Sequence, residues 1–104
     1  MFLARVTGSV VATQKVASMT GQRLLTVEPL RVDPQSRDKL IGTARTFVCL
    51  DTVGAGLDQI VLIVQGSSAR LVPELEKLPT DATIVGIVDS VQVENKTIFK
   101  QGAD

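Results

Sequence analysis

Two short glycine-containing motifs hold the residues of this sequence that could bind a nucleotide or act as a nucleophile. Gly54-Ala55-Gly56 suggests a nucleotide-binding loop, because glycines let a backbone approach a phosphate closely. A dinucleotide-binding fingerprint needs a third glycine and a following helix, whereas this chain has Gln59 at that position and then an apolar strand. The Gly-Lys-Ser/Thr ending of a phosphate-binding loop is also missing. We therefore interpret these glycines as residues that take positive φ in a connection between strands.

The second motif, Gly66-Ser67-Ser68-Ala69-Arg70, contains two hydroxyls that could act as nucleophiles. A serine needs an adjacent base to become reactive, and no histidine or suitable lysine is available to activate it. We interpret Ser67 or Ser68 as the N-cap of a short helix. If the chain forms a ring, the same hydroxyls could also line a central opening, and the sequence leaves both roles open.

The absence of histidine and the presence of one cysteine restrict the possible functions further. Ser/His/Asp and Cys/His catalytic systems are excluded, and zinc would have one cysteine and carboxylates as ligands, which matches known sites poorly. Cys49 lies in the apolar run Phe47-Val48-Cys49-Leu50 and is predicted to be a small core residue. Aspartates such as Asp51 and Asp58 stand at predicted strand ends, where this residue commonly caps turns. We predict no catalytic residue, no cofactor and no metal site, and we do not expect an enzyme.

The composition predicts one domain spanning residues 1–104, with an aliphatic core. The chain has no Trp or Tyr and three Phe, although 44% of its residues are hydrophobic. Eleven basic residues balance eleven acidic ones, so no net charge attracts nucleic acid or anionic lipid. No run is apolar enough to span a membrane, the first residues do not resemble a signal peptide, and a single cysteine suits a reducing compartment. We therefore expect a cytoplasmic protein without a membrane partner.

The spacing of apolar residues and turn residues predicts an all-β fold, a small OB-like β-barrel of five to six strands with one short helix. Gly8 is expected to bend or bulge the first strand. Residues 33–44 are expected to form a surface loop, Asn95-Lys96 a turn, and residues 67–78 the helix. The predicted strands are residues 2–15, 23–32, 45–51, 59–65, 83–94 and 97–100.

The predicted fourth and fifth strands are apolar on both faces, at residues 60–64 and 84–88. A barrel strand has one inner and one outer face, so the outer faces of these strands need a cover. One short helix is too small for this, which predicts an oligomer. We expect Val61 and Ile63 on the outer face and at a subunit interface, where a charge would break the ring and spare the barrel.

Three segments resemble one known family, the pentameric vertex proteins of bacterial microcompartment shells, including carboxysomes and ethanolamine and propanediol compartments. The segments are residues 6–15, 51–70 and 79–89, in the family's order and spacing. The resemblance implies a non-enzymatic, OB-like protomer that forms a homopentamer in the shell of a cytoplasmic compartment. Such pentamers cap the five-fold vertices of an icosahedral shell beside hexameric microcompartment shell proteins, and so close it around encapsulated enzymes.

By the same resemblance, the two glycine motifs lie near subunit contacts or a central opening. Two differences from the family's sequence limit which of its contacts can be expected in this chain. Asp58-Gln59 stands where the family often has Gly-Glu, and residues 22–45 are variable in the family. These motifs and the predicted fourth strand, which is apolar on both faces, give the candidates for an interface or pore. They are Gly54, Gly56, Val61, Ile63, Gly66, Ser67, Ser68 and Arg70.

The main alternative is a barrel that binds single-stranded nucleic acid. Such a module needs a basic groove and aromatic side chains on which bases stack. Phe2, Phe47 and Phe99 are the available aromatics, and the net charge is zero, so both requirements are poorly met. A small catalytic barrel that works through carboxylates is the third alternative. The sequence does not choose between five-membered and six-membered rings, and it does not name the compartment or its cargo.

Overall fold

The computed structural model describes residues 1–13, 17, 21–66 and 81–102. Within these ranges the structure contains eight strands and, at residues 17 and 66, 3₁₀ geometry, and the predicted short helix at residues 67–78 lies outside the described residues. The strands are β1 (Phe2–Val10), β2 (Arg23–Val32), β3 (Leu40–Gly42), β4 (Phe47–Asp51), β5 (Ile60–Gln65), β6 (Ala82–Ile87), β7 (Ser90–Val93) and β8 (Lys96–Lys100).

Five of the strands form a closed barrel. They pair in the order β1-β5-β6-β4-β2, and β2 pairs again with β1, which closes the circle. Four of the five pairings are antiparallel, and β4 and β6 are parallel. Closure leaves none of these five strands as a free edge along its whole length, which protects the sheet from pairing with other chains. The predicted all-β barrel is therefore confirmed.

The first strand pairs with both ends of the sheet and contains a bulge beside Gly8. Its first half pairs with β5 through Phe2–Arg5, and most of its length pairs with β2. The register with β2 shifts between Val6 and Gly8, which is a β-bulge. A Cβ at Gly8 would lie 3.0 Å from Oγ1 of Thr26, so glycine suits this close approach. The predicted bulge is confirmed, although β1 ends at Val10 and not at residue 15.

The second strand has the predicted bounds, and its proline lies where no backbone N–H is needed for pairing on one side of the strand. Residues 23–27 pair with β4, and residues 30–32 pair with the short strand β3. Pro29 lies between these two pairings, so its missing N–H costs no ladder hydrogen bond on that side. Strand β3 falls inside the stretch predicted as a loop. That prediction was wrong for Leu40–Gly42, because these residues pair with residues 30–32 of β2, beyond the first residue of β4.

The predicted long fifth strand is two strands. Strand β6 ends at Ile87, where the Val88 N–H donates to the Ile60 carbonyl oxygen at 2.9 Å, and the chain then enters a separate hairpin of β7 and β8. The hairpin turn consists of Glu94 and Asn95, both at positive φ, which is the geometry of a two-residue turn that matches strand twist. The turn was predicted one residue later.

The barrel interior is filled by aliphatic side chains, as the composition requires. The core cluster includes Ala4 and Val6 from β1, Leu25 and Val27 from β2, Cys49 from β4, Val61 and Ile63 from β5, and Ala82 and Ile84 from β6. Val61 and Ile63 are fully buried within one protomer. The expectation that they lie on the outer face is therefore wrong. Because side chains alternate along a strand, the outer face of β5 carries Ile60, Leu62 and Val64 instead.

Part of the outer face is also buried within the single chain. Leu50, Ile60 and Thr83 are almost fully buried but do not belong to the interior cluster. Leu50 and Thr83 lie opposite each other on β4 and β6. The hydroxyl of Thr83 is buried and has no hydrogen-bond partner among the described residues, which costs free energy because water satisfies it in the unfolded chain.

A charge at Val61 is expected to unfold the barrel. Burying an aspartate among the aliphatic core residues costs about 4 kcal/mol or more. We expect Val61→Asp to lose the cooperative unfolding transition in a urea titration followed by far-ultraviolet circular dichroism. Val48→Asp is the matched control, because Val48 is 52% exposed on β4 and should keep the transition. A folded Val61→Asp protein that lacks the oligomer would restore the outer-face placement.

Replacing Thr83 by valine should stabilise the barrel. Valine has nearly the same shape and removes a buried hydroxyl that has no partner in the described part of the chain, so we expect a gain of about 1 kcal/mol. The urea midpoint of Thr83→Val should rise relative to the wild type at equal protein concentration. A midpoint that falls would mean that the hydroxyl is satisfied in solution.

Candidate subunit-contact site

The loop between β4 and β5 is held by the carboxylate of Asp51. Its Oδ1 accepts the backbone N–H groups of Val53 and Gly54 at 3.0 and 3.1 Å, and its Oδ2 accepts that of Ala55 at 2.9 Å. The Asp51 side chain is fully buried, and three amide donors together with a cation are what a buried carboxylate needs. The prediction that Asp51 caps a turn is confirmed.

The cation is Arg23, at the start of β2. Its Nη1 donates to Oδ2 of Asp51 at 2.6 Å and to the carbonyl oxygen of Ala55 at 3.0 Å. One guanidinium nitrogen thus joins β2, β4 and the loop. The Arg23 side chain is 55% exposed, so this ion pair lies at the boundary between the barrel and solvent. Local sequence patterns do not group Arg23 with Asp51, because these residues are 28 positions apart and meet through strand pairing.

The second half of the loop is fixed by Gln59 and by β1. The Gln59 side-chain oxygen accepts the Gly56 N–H at 2.7 Å, and its backbone N–H donates to the Gly56 carbonyl oxygen at 3.2 Å. The Asp58 N–H donates to the Val6 carbonyl oxygen, and the Val6 N–H donates to the Gln59 carbonyl oxygen, both at 2.9 Å. The loop is therefore ordered by its own hydrogen bonds. Gln59, which departs from the resembled family, has a specific role in it.

The glycines of the first motif differ in their backbone conformation. Gly54 has φ of 81°, as predicted, whereas Gly56 is not among the residues at positive φ. A Cβ atom at Gly54 would meet nothing within 4 Å. Glycine is therefore favoured there by the positive φ of the backbone and not by a lack of room for a side chain. No nucleotide-binding geometry is formed, because a strand follows the loop and its amide donors at Val53, Gly54 and Ala55 are used by Asp51.

The second motif is described at its first residue alone. Gly66 follows β5 with φ of 62°, and its N–H donates to the carbonyl oxygen of Asp81 at 2.8 Å, immediately before β6. This bond joins the two ends of the intervening segment. The predicted roles of Ser67, Ser68 and Arg70 lie outside the described residues.

Exposed apolar side chains gather at the barrel end that carries the loop. Val10 pairs with Leu24 where β1 ends, Arg23 pairs with Asp51 where β4 ends, and the loop follows. Five large apolar side chains are exposed in the described part of the chain, namely Met1, Val11, Val48, Val53 and Leu57. Val11, at 88% exposed, follows β1 at this end, and Val53 and Leu57 belong to the loop.

A pocket of about 310 Å³ opens at the same end. Its floor includes the core residues Val6, Leu25 and Ala55, and its rim includes Arg23 and Leu57. The pocket is apolar at its base and has a cation at its edge. Such a shape fits an apolar side chain that carries or adjoins a hydrogen-bond acceptor.

The remaining candidates for chemistry do not form a site in the described residues. Cys49 is buried in the core, as predicted, and its Sγ lies 3.7 Å from the Leu25 carbonyl oxygen. Burial, and secondly the charge of Asp51, raises the pKa of the Cys49 thiol from 9.0 to about 12. Across the described ranges no three His, Cys, Asp or Glu side chains are grouped so that they could hold a metal ion. The same part of the chain contains no helix long and apolar enough to cross a bilayer.

Two of the three phenylalanines are engaged with each other. The rings of Phe2 and Phe47 meet edge to face, with centroids 5.6 Å apart, and the Arg45 guanidinium lies 5.1 Å from the centre of the Phe47 ring. Both phenylalanines pack against the barrel core. These rings are not presented as an open stacking surface for nucleic-acid bases.

Comparison with known proteins identifies the family. A family model described as ethanolamine utilisation protein EutN/carboxysome matches residues 1–89. The chain belongs to this family. The family predicted from the three sequence segments is therefore confirmed.

Similarity to individual family members extends over almost the whole chain. The carboxysome shell vertex protein CcmL of Gloeobacter violaceus is 39% identical over 101 residues, which cover 97% of this chain and 95% of that protein. Its solved structure has a TM-score of 0.86 and covers 99% of this chain and 100% of its own. The shell vertex protein PduN of Salmonella typhimurium is 44% identical over 88% of this chain and 98% of that protein.

A third relative bears on assembly. The structure of GrpN from Rhodospirillum rubrum, described as a pentameric microcompartment shell protein, has a TM-score of 0.74 and 43% identity, covering 89% of this chain and 98% of its own. These family members are named as shell proteins and not as enzymes, which agrees with the prediction that this chain is not an enzyme.

The burial of Cys49 predicts low thiol reactivity in the folded protein. The thiolate is the reactive form, and a thiol pKa of about 12 leaves almost none of it at neutral pH. We expect iodoacetamide to leave native protein unlabelled and to label it in concentrated urea, as measured by intact mass. Rapid labelling of the native protein would contradict the burial of Cys49.

The raised pKa of the Cys49 thiol also predicts a pH dependence of stability. Between pH 9.0 and 12 the unfolded thiol loses its proton while the folded thiol keeps it, so the free energy of unfolding should fall as pH rises through this range. The Cys49→Ala protein should lack this part of the fall.

Proposed function

We propose that this protein is a shell vertex protein of a bacterial microcompartment, which forms homopentamers that cap the five-fold corners of the shell and close it. The observation that carries the proposal is the match of sequence and fold, over nearly the full chain, to proteins named as shell vertex proteins, one of them pentameric. A sheet of hexagons is flat, and it becomes a closed shell only when pentagons occupy the corners. The function is therefore geometric and requires no catalytic group.

The partners that follow are other copies of this chain and hexameric shell proteins at its rim. A rigid protomer suits such a role, because the angle between neighbouring shell units must be set by the shape of the pentamer. The closed barrel and the hydrogen-bonded loop after β4 provide that rigidity. The placement of Gly54, Gly56 and Gly66 near subunit contacts remains part of this proposal.

The single-strand nucleic-acid barrel is the less favoured candidate. No observation on the described residues supports it, since Phe2 and Phe47 pack against each other and the chain has no net charge. A labelled oligonucleotide should show no salt-dependent binding. Binding that weakens steeply with salt would move this candidate to first place.

The native mass of the purified protein tests the pentamer. Mass spectrometry under conditions that preserve assemblies should give five copies of the chain. A ring of six copies would retain a shell protein but remove the vertex role, because a six-fold unit cannot make a corner. A stable monomer would contradict the proposed function as a whole.

Shell closure is tested by combining the chain with a hexameric shell protein. Hexameric protein alone should give open sheets or tubes in electron micrographs, and addition of this chain should give closed particles. Closed particles at equal frequency without this chain would contradict the capping role even if the protein is pentameric.

A further inference from the structure

We propose that the hairpin of β7 and β8 opens away from the barrel as one unit while the barrel stays folded, and that the ion pair of Arg37 and Glu94 controls this opening. We call this ion pair the latch. The inference concerns the folded protomer and goes beyond the proposed function, because it does not depend on the chain forming a shell vertex.

The hairpin takes no part in the hydrogen bonding that closes the barrel. Within the described ranges β7 and β8 form a two-stranded sheet of their own, and the Gln101 N–H closes its base by donating to the Asp89 carbonyl oxygen at 2.7 Å. Val88, which follows β6, still bonds to the barrel through the Ile60 carbonyl oxygen. The hairpin can therefore separate at Asp89 without breaking any pairing of the barrel strands.

The hairpin needs support from outside itself, and its contacts with the rest of the chain are shallow. A two-stranded hairpin alone is marginally stable in water at best. Val91 and Val93 share one face of β7 and are half-buried, and no residue of β7 or β8 is fully buried. The core cluster of the described residues contains no member from the hairpin. Losing these contacts therefore costs less free energy than unfolding the barrel does.

An open pocket of about 310 Å³ lies where the hairpin meets the segment after β2. Val93 lines it from the hairpin, and the other side is lined by Val32, Asp33, Pro34 and Arg37. Apolar surfaces that leave such a gap between them lose part of the dispersion attraction that close packing gives. An ion pair beside this loose contact then supplies a larger share of what holds the hairpin in place.

Both residues of the latch have a backbone conformation that is uncommon for their type. Arg37 has φ of 58° and Glu94 has φ of 53°. Glycine, asparagine and aspartate are the residues that usually adopt positive φ, and two-residue hairpin turns favour them. Asn95 fits this preference and Glu94 does not, which indicates a role for Glu94 beyond the turn itself. Its Oε1 lies 2.8 Å from Nη2 of Arg37.

The Arg37 side of the latch is fixed by the loop that carries it. The Arg37 N–H donates to the Asp33 carbonyl oxygen, and the Asp33 N–H donates to the Lys39 carbonyl oxygen, both at 2.9 Å. The Asp33 side chain also accepts the Gln35 N–H at 2.9 Å. The loop therefore presents the guanidinium group at a defined place, and Glu94 is the partner that moves with the hairpin.

Ionic strength is the condition to which the latch responds. Both side chains are 59% exposed, and attraction between exposed charges is screened as salt rises. The backbone hydrogen bonds that close the barrel are not screened in this way. Added salt should therefore increase opening of the hairpin without increasing opening of the barrel.

Hydrogen exchange followed by mass spectrometry tests whether the hairpin opens as a unit in the native protein. The amides of β7 and β8 should share one protection factor, lower by about tenfold or more than the protection factors of β2 and β4. Raising the salt concentration from about 0.05 M to about 0.5 M should lower the hairpin value about two- to fivefold and leave β2 and β4 unchanged. A hairpin protected as strongly as β2 would overturn the proposal.

Arg37→Gln and Glu94→Gln test the latch. Each should lower hairpin protection about two- to fivefold at low salt and remove its salt dependence, and the double variant should have no larger effect than either change alone. Lys39→Gln is the matched control. It removes the same charge from the same loop, but Lys39 pairs with Asp33, at 3.8 Å, and not with the hairpin. Its hairpin protection should equal that of the wild type.

Two further outcomes would overturn the latch. Equal loss of hairpin protection in Arg37→Gln and Lys39→Gln would assign the effect to the charge of the loop and not to the ion pair. Hairpin protection that follows protein concentration, and neither salt nor these variants, would mean that another copy of the chain holds the hairpin. Neither outcome affects the proposed function, which is tested by native mass and by shell closure.

Discussion

Closure of the sheet by β1 is the constraint on which the rest of the structure depends. One strand must pair with β5 on one side and with β2 on the other, and its pairing with β2 continues past the bulge beside Gly8. Once the circle is closed, every barrel strand has one face inside and one outside. The aliphatic core follows from that division.

The ion pair of Arg23 and Asp51 connects this framework to the surface. Strand pairing brings the first residue of β2 beside the last residue of β4, and the buried carboxylate then holds the loop that follows. A buried charge is tolerated because three amides and one guanidinium surround it. The ion pair and its hydrogen bonds thus join β2 to β4 and also fix the loop after β4.

The sequence predicted the elements well where alternation or turn residues were unambiguous. Strand β2 had the correct bounds, the bulge at Gly8 was foreseen, and the family was identified from three segments. Continuous apolar runs were harder, because they carry no period that tells inside from outside. Val61 and Ile63 were therefore placed on the wrong face, and the break after Ile87 was missed because Val88 continues the apolar run. The pairing of Arg23 with Asp51 required the register of two distant strands, which local patterns do not give.

The hairpin of β7 and β8 is held quite differently from the barrel. Among the described residues, its turn meets the segment after β2 through an ion pair of Arg37 and Glu94 at 2.8 Å, and both side chains are 59% exposed. An exposed pair of this kind contributes about 1 kcal/mol or less and weakens as salt rises. The molecule thus combines a closed barrel with a separate two-stranded hairpin. Added salt weakens this ion pair between the hairpin and the segment after β2, but it leaves in place the backbone pairings that close the barrel.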